Sequence, residues 1–200
     1  FKSYFTRLYK SKASPMAEIH TILVRNPRTG ELDYQITSTT SDQIAERAKT
    51  ARRAQIKWLS NGLDARCQAI MKLADSIEKH STAIISALEI DTGRRRMANM
   101  EVMGVIGSLR GWAAQAPSLM PKADWQQGQT KPDFKHANQY VPYAMVGVIS
   151  PWNFPMTLSF IDAIPALLAG ACVLIKPSEV TPRFADQVTT AIDDAGMSDI

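Results

Sequence analysis

Two short turns hold most of the side chains in this sequence that could do chemistry. Ser150-Pro151-Trp152-Asn153-Phe154-Pro155 offers a hydroxyl, an indole and a carboxamide between prolines, and Lys176-Pro177-Ser178-Glu179 offers an ammonium and a carboxylate. Proline fixes its own φ and restricts the residue before it, so the first turn is read as rigid. Taken alone, Lys176 and Glu179 are a solvated loop ion pair of little energetic worth. The cysteines are poor nucleophile candidates. Cys172 lies inside the apolar run Cys172–Lys176, and Cys67 lies on a helical stripe with Ile70, Ala74 and Ile77, so both are expected as buried thiols. The pair forms no disulfide framework, which fits a reducing compartment. His20, His80 and His136 share no metal-ligand spacing with each other or with a cysteine, so no metal site is expected.

The elements around the two turns explain how they would meet. Tyr143–Ser150 is an apolar run of the length of one buried strand, and it stops at the first turn. A helix is predicted from about Thr157 to Leu168, with Pro165 as a kink or restart and Gly170 as its end. Cys172–Lys176 reads as a second buried strand, closed by the second turn. Another helix is predicted from about Pro182 to Ala195, ended by Gly196. Strand, turn, helix, strand, turn, helix is the repeating unit of a doubly wound parallel sheet. Ligands of such sheets sit beyond the carboxyl ends of the strands, so both turns should face one crevice.

Upstream, Ile19–Ile36 reads as a β-hairpin around Asn26-Pro27-Arg28-Thr29-Gly30. Thr40 and Gln43 form a capping box that opens a helix with Ile44, Ala48, Ala51, Ala54 and Trp58 on one face. A second helix carries Cys67 to Ile77, and Ser81 could cap a third that runs to about Ile90. Glu101–Ala114 is helical again, its Gly104, Gly107 and Gly111 permitting close packing on a neighbour. Lys122–Ala137 is polar and irregular, a loop or the start of a hairpin arm. Asp162 stands unexplained in an otherwise apolar run.

Taken together, Gly147-Val148-Ile149-Ser150-Pro151-Trp152-Asn153-Phe154-Pro155, then Pro165-Ala166-Leu167-Leu168-Ala169-Gly170, then Lys176-Pro177-Ser178-Glu179 resemble the signature of the aldehyde dehydrogenase superfamily. The three arrive in the family's order and spacing. Upstream, Asp91-Thr92-Gly93 with Glu101 resembles the family's acidic-Thr-Gly segment, and Trp58 and Arg66 match its early helices. The resemblance runs from about Ile19 onward, and a compound motif of this kind is far more specific than a lone glycine fingerprint.

The resemblance implies roles. Asn153 matches the asparagine whose side-chain amide stabilises the oxyanion of a cysteine thiohemiacetal, a task suited to a neutral donor of fixed geometry. Lys176 and Glu179 match residues that hold the adenosine ribose, and the Ser150–Trp152 backbone would lie along the cofactor. The cofactor-facing set is therefore Ser150, Pro151, Trp152, Asn153, Lys176, Pro177, Ser178 and Glu179. A carboxylate at Glu179 accepts from ribose hydroxyls and repels a 2′-phosphate, which tilts the cofactor to NAD with NADP still open. The substrate would be an aldehyde, oxidised to a carboxylic acid. The family's Glu-Leu-Gly and Gly-Gln-x-Cys segments, which carry its base and nucleophile, do not occur here. The implied fold is α/β: N-terminal helices, an incomplete doubly wound, Rossmann-like parallel sheet, and part of a hairpin arm through which the family forms homo-oligomers. The chain reads as an N-terminal portion that ends before the catalytic domain and is inactive alone. A non-catalytic binding or oligomerisation module is the alternative.

The expected organisation is a basic leader or appended segment (1–18), a hairpin and helices of the cofactor-binding domain (19–121), a loop or arm (122–143) and a βαβα unit (144–200). Composition agrees with a globular chain, at 45% hydrophobic and 21% charged residues. The net charge of +4 comes from two clusters, Lys2, Arg7, Lys10 and Lys12, and Arg94-Arg95-Arg96. No nucleic-acid-binding motif accompanies them, so no nucleic-acid partner is expected. No run is long enough to span a bilayer. The location is expected to be cytoplasmic, or an organelle matrix if Phe1–Pro15 is a transit segment.

Overall fold

The structure is a computed structural model that describes residues 20–122 and 124–200. The leader expected over 1–18 lies outside the described residues. The rest is a mixed α/β chain of six helices and three two-stranded sheets.

Strands β1 (Thr21–Arg25) and β2 (Leu32–Thr37) form the expected antiparallel hairpin. Helix α1 (Ser41–Ser60) starts at the capping box: the Thr40 amide donates to Gln43 Oε1 at 2.9 Å, and the Gln43 amide donates to Thr40 Oγ1 at 3.2 Å. Cover of its stripe grows along the helix, from exposed Ile44 through half-buried Ala48, Ala51 and Ala54 to buried Trp58. Helices α2 (Gly62–Lys79) and α3 (Ser81–Thr92) follow. The cap of α3 is His80 without a side-chain bond, so Ser81 is the first helical residue and not a cap.

Helix α4 (Arg95–Leu119) begins a turn and a half before Glu101 and absorbs Pro117 near its end. It packs on α2, α3 and a later helix, α5 (Pro155–Ala169), through Val102, Val105, Ile106 and Leu109. Its glycines do not mark a close approach. A Cβ at Gly104, Gly107 or Gly111 would meet nothing within 4 Å, so these positions lie on the uncovered face. Strands β3 (Gln126–Gln127) and β4 (Lys135–His136) make a short antiparallel pair where a loop or hairpin arm was expected.

Strand β5 (Met145–Ile149), α5, strand β6 (Cys172–Lys176) and helix α6 (Phe184–Asp194) give the βαβα unit, with β5 and β6 parallel. The strands are not fully buried as expected. Val148 and Cys172 are buried, Val173 to Ile175 are half-buried, and Ile149 is 81% exposed. A two-stranded pair leaves one edge of β5 and part of its face without a neighbour among the described residues. Helix α5 runs unbroken through Pro165, so no restart occurs there. Asp162 faces solvent, which removes the conflict between its charge and the apolar run around it.

Side chains from α1 and α2 satisfy the carboxyl end of α5. Helix ends leave carbonyls without partners, and buried ones are costly to leave so. Trp58 Nε1 donates to the Leu167 carbonyl at 2.9 Å, Arg66 Nε to Leu168 at 2.9 Å, and Gln55 Nε2 to Gly170 at 2.8 Å. Gly170 closes the helix at φ 105°, a left-handed conformation in which a side chain is strained. The helix that follows the first turn is thereby locked at its far end.

Candidate functional site

The register of β5 against β6 brings the two turns together. Ile149 lies opposite Lys176, and the Ser150 amide donates to the Lys176 carbonyl at 3.0 Å. Both strands therefore end at one level. A second link crosses between the turns, where Thr181 Oγ1 donates to the Trp152 carbonyl at 3.4 Å.

In the first turn the side chains divide into braces and free groups. Ser150 is buried, and its Oγ donates to the Pro155 carbonyl at 2.9 Å, so the hydroxyl holds the turn closed. Ser159 Oγ reaches the same carbonyl at 2.6 Å. Pro151 is exposed, and the large Trp152 side chain is 60% exposed beside it. Asn153 is half-buried. Its backbone carbonyl receives the Arg94 guanidinium, which also lies 5.0 Å from the centre of the Phe154 ring. Its side-chain amide makes no hydrogen bond to any described residue. An asparagine that served only the turn would bond its own backbone; this one does not.

The second turn has the same division. Ser178 is buried, with Oγ accepting from the Val180 amide at 3.2 Å. Pro177 is half-buried, while Lys176 and Glu179 are exposed and paired with each other. The Lys176 ammonium holds the Glu179 carboxyl below the usual carboxylate range. Solvent screens this pair, so it adds little to stability and both groups are free to exchange partners.

Two buried carboxylates lie behind the turns. Glu101, on α4, accepts the Met156 and Thr157 amides on Oε2, each at 3.1 Å, at the start of α5. Asp91, at the end of α3, accepts the Arg183 amide at 2.8 Å and Arg183 Nε at 2.6 Å, at the start of α6. Arg183 also reaches Asp33 and stacks 4.8 Å from the centre of the Tyr34 ring, which ties the hairpin to this corner. Burial pushes both carboxyls above their usual range, Asp91 despite its bonds to Arg183 and Glu101 despite its two amides. Sequence reasoning placed Asp91 and Glu101 in one motif but gave them no task, and it missed Arg94 and Arg183. Contacts 55 to 92 residues apart in the chain leave no local periodicity to read.

The cysteines behave largely as expected. Cys172 is fully buried and burial pushes its thiol up to about 11, which makes it a poor nucleophile. Cys67 is half-buried and not buried, because α2 turns that side of its stripe toward the rim of the core. Among the described residues no three His, Cys, Asp or Glu side chains group as metal ligands, and no helix is long and apolar enough to cross a membrane. The arginine cluster is split: Arg94 turns inward to the first turn while Arg95 and Arg96 face solvent.

What the site resembles is consistent across sequence and fold. Residues 15–199 match the aldehyde dehydrogenase family. The chain is 35% identical over 160 residues to a Mycolicibacterium smegmatis protein assigned as a succinate-semialdehyde dehydrogenase (NADP(+)), covering 79% of this chain and 31% of that protein. PutA of Anabaena variabilis, a structure assigned as an aldehyde dehydrogenase, superposes with a TM-score of 0.85 at 38% identity, over 90% of this chain and 38% of its own. PnpE from Pseudomonas sp. WBC-3 superposes with a TM-score of 0.80 at 27% identity, over 88% of this chain and 36% of its own. PnpE has also been solved in complex with nicotinamide adenine dinucleotide. The chain thus spans about a third of the length of these relatives. With the two turns side by side and the match running through both of them, the chain belongs to the aldehyde dehydrogenase family.

Proposed function

We propose that this chain supplies the oxyanion donor and the cofactor-facing turns of an NAD(P)-dependent dehydrogenase that oxidises an aldehyde to a carboxylic acid. The observation that carries the reading is the Asn153 carboxamide, held on a braced turn through its backbone while its side chain is unspent. As a nucleophile adds to an aldehyde carbon, the carbonyl oxygen gains charge. A fixed neutral amide stabilises that charge without any change of protonation.

The residues of the second turn fit a dinucleotide. Glu179 is ionised and exposed, an acceptor-only group that can take ribose hydroxyls once Lys176 lets it go. The exposed Pro151 and Trp152 of the first turn give an edge along which an extended ligand could lie. When bound, NAD or NADP accepts the hydride. The chain's own part is to orient the cofactor and the carbonyl oxygen. Relatives support both cofactors: PnpE is complexed with nicotinamide adenine dinucleotide and the Mycolicibacterium protein is named for NADP(+). In this reading β5 and β6 belong to a wider doubly wound sheet, residues 122–143 form a loop or part of an arm between subunits of a homo-oligomer, and the whole works in the cytoplasm or an organelle matrix.

The test is Asn153→Ala in the full-length enzyme that carries this chain. The expected result is a fall in kcat of about a hundred- to a thousand-fold, with dinucleotide affinity kept. Wild-type kcat in that variant would remove Asn153 from the chemistry and leave the turns to binding alone.

A further inference from the structure

We propose that Glu101 and Asp91 are positioning residues, one for each turn: Glu101 fixes the Asn153 turn through the first amides of α5, and Asp91 fixes the Lys176–Glu179 turn through the start of α6. The inference rests on the functional reading above and assigns the groups that make its geometry hold.

Helix α5 cannot cap itself. Phe154 stands at its N-cap with no hydrogen-bonding side chain, and Pro155 at the first position has no N–H. The first amides needing acceptors are those of Met156 and Thr157, and Glu101 Oε2 takes both at 3.1 Å. Arg94, at the start of the same helix as Glu101, holds the Asn153 carbonyl. The end of the turn is thus gripped from α4 at two points, the Asn153 carbonyl itself and the first amides of α5.

The second grip is built alike. Arg183 precedes α6, offers no side-chain cap of its own, and gives its amide to Asp91 Oδ2 at 2.8 Å and its Nε to Oδ1 at 2.6 Å. Asp91 and Glu101 sit on the acidic-Thr-Gly segment and the helix that follows it. One stretch of chain therefore sets the position of both turns relative to each other.

Stability alone is a weak reason for this arrangement. A buried charge costs desolvation, and an apolar side chain with a local cap commonly does as well or better. Glu101 is 3% exposed and its Oε1 has no hydrogen-bond partner among the described residues, an expense that a merely structural cap would avoid. What the long-range carboxylate gives is fixed geometry, and a misplacement of about 1 Å at a reacting group can cost about a hundredfold in rate.

The test compares Glu101→Ala, Glu101→Gln and Asp91→Asn in the full-length enzyme, reading kcat, dinucleotide Kd by titration, and amide exchange at Met156 and Thr157. Glu101→Ala is expected to lower kcat by about a hundredfold, leave Kd within about twofold, and speed exchange at those two amides. Glu101→Gln keeps an oxygen acceptor and is expected to restore most of kcat and the slow exchange. Asp91→Asn is expected to do the reverse, weakening dinucleotide binding about tenfold while kcat at saturation stays within about threefold. The proposal is overturned if kcat falls and Kd rises together in both Glu101→Ala and Asp91→Asn, as general damage to the fold would make them. It is overturned equally if Glu101→Gln is as poor as Glu101→Ala, or if exchange at Met156 and Thr157 does not change in Glu101→Ala. Should Asn153→Ala itself leave kcat intact, the functional reading fails separately, and exchange at the two amides still decides the anchoring.

Discussion

Arg183→Met should expose how much the corner behind the second turn depends on one buried ion pair. Arg183 is 11% exposed along its side chain, and its partner Asp91 is 0% exposed. Methionine keeps most of the apolar stem against Tyr34 but removes the Nε donor and the link to Asp33. The Asp91 carboxylate would keep only the backbone amide of residue 183. Breaking a buried pair by removing one partner costs about 3–5 kcal/mol, because the other charge stays buried. For a chain of this size that is roughly 6–20 °C in Tm. The pH dependence gives a second signature. Burial already raises the Asp91 carboxyl, and Arg183 opposes that rise, so the variant should raise it further. A group with a raised folded-state pKa gives stability that is complete below its unfolded pKa and lost as pH climbs through the folded value. The deficit of Arg183→Met should therefore be larger near neutrality and shrink as pH falls toward the ordinary carboxylate range. Asp91→Asn combined with Arg183→Met removes both charges and should recover most of the loss. The assay is urea unfolding followed by circular dichroism, wild type against single and double variants at two pH values. A deficit under about 1 kcal/mol that ignores pH would mean that the pair behaves like an exposed one and that the reasoning is wrong.

The remaining expectations are simpler. Gly170→Ala should destabilise by about 1–2 kcal/mol, since it forces a side chain into a left-handed backbone with Leu59 Cδ1 only 2.6 Å from the new Cβ. Gly104→Ala, where nothing lies within 4 Å, should instead stabilise α4 by about 0.5–1 kcal/mol; thermal denaturation of the pair reads both signs. Toward a thiol reagent under native conditions Cys67 should react first and Cys172 hardly at all, because one is half-buried and the other is enclosed with its thiol at about 11. Equal labelling rates would show that the strand around Cys172 opens readily.

Much of the site could be read from the chain because its signals are local. Proline at Pro151 and Pro155 stiffens one turn whatever surrounds it, the capping box at Thr40 and Gln43 is complete within four residues, and Gly170 announces the end of α5 by its backbone needs alone. The apolar runs before each turn were enough to expect two parallel strands ending together, and β5 and β6 do so in register. Exposure was not legible in the same way. The run through Ile149 reads as a buried strand, but burial depends on what lies across the sheet, and here Ile149 has no cover. The glycines of α4 mislead for the same reason: a small residue permits a close neighbour without supplying one.

The amino-acid sequence by itself determined the family, the order of elements and which residues stand on the two turns, since those follow from spacing along one chain. The tertiary structure alone decided which of these groups are spent and which are free. Ser150 and Ser178 look as available as Asn153 in the sequence, yet both are turned inward as braces while the Asn153 amide has no partner among the described residues. It also decided what holds the turns, because Glu101 and Asp91 act on amides that lie 55 and 92 residues further along the chain. A buried carboxylate finds its donors only when helices from distant parts of the sequence pack together, and no pattern along the chain can encode that meeting before the core has formed.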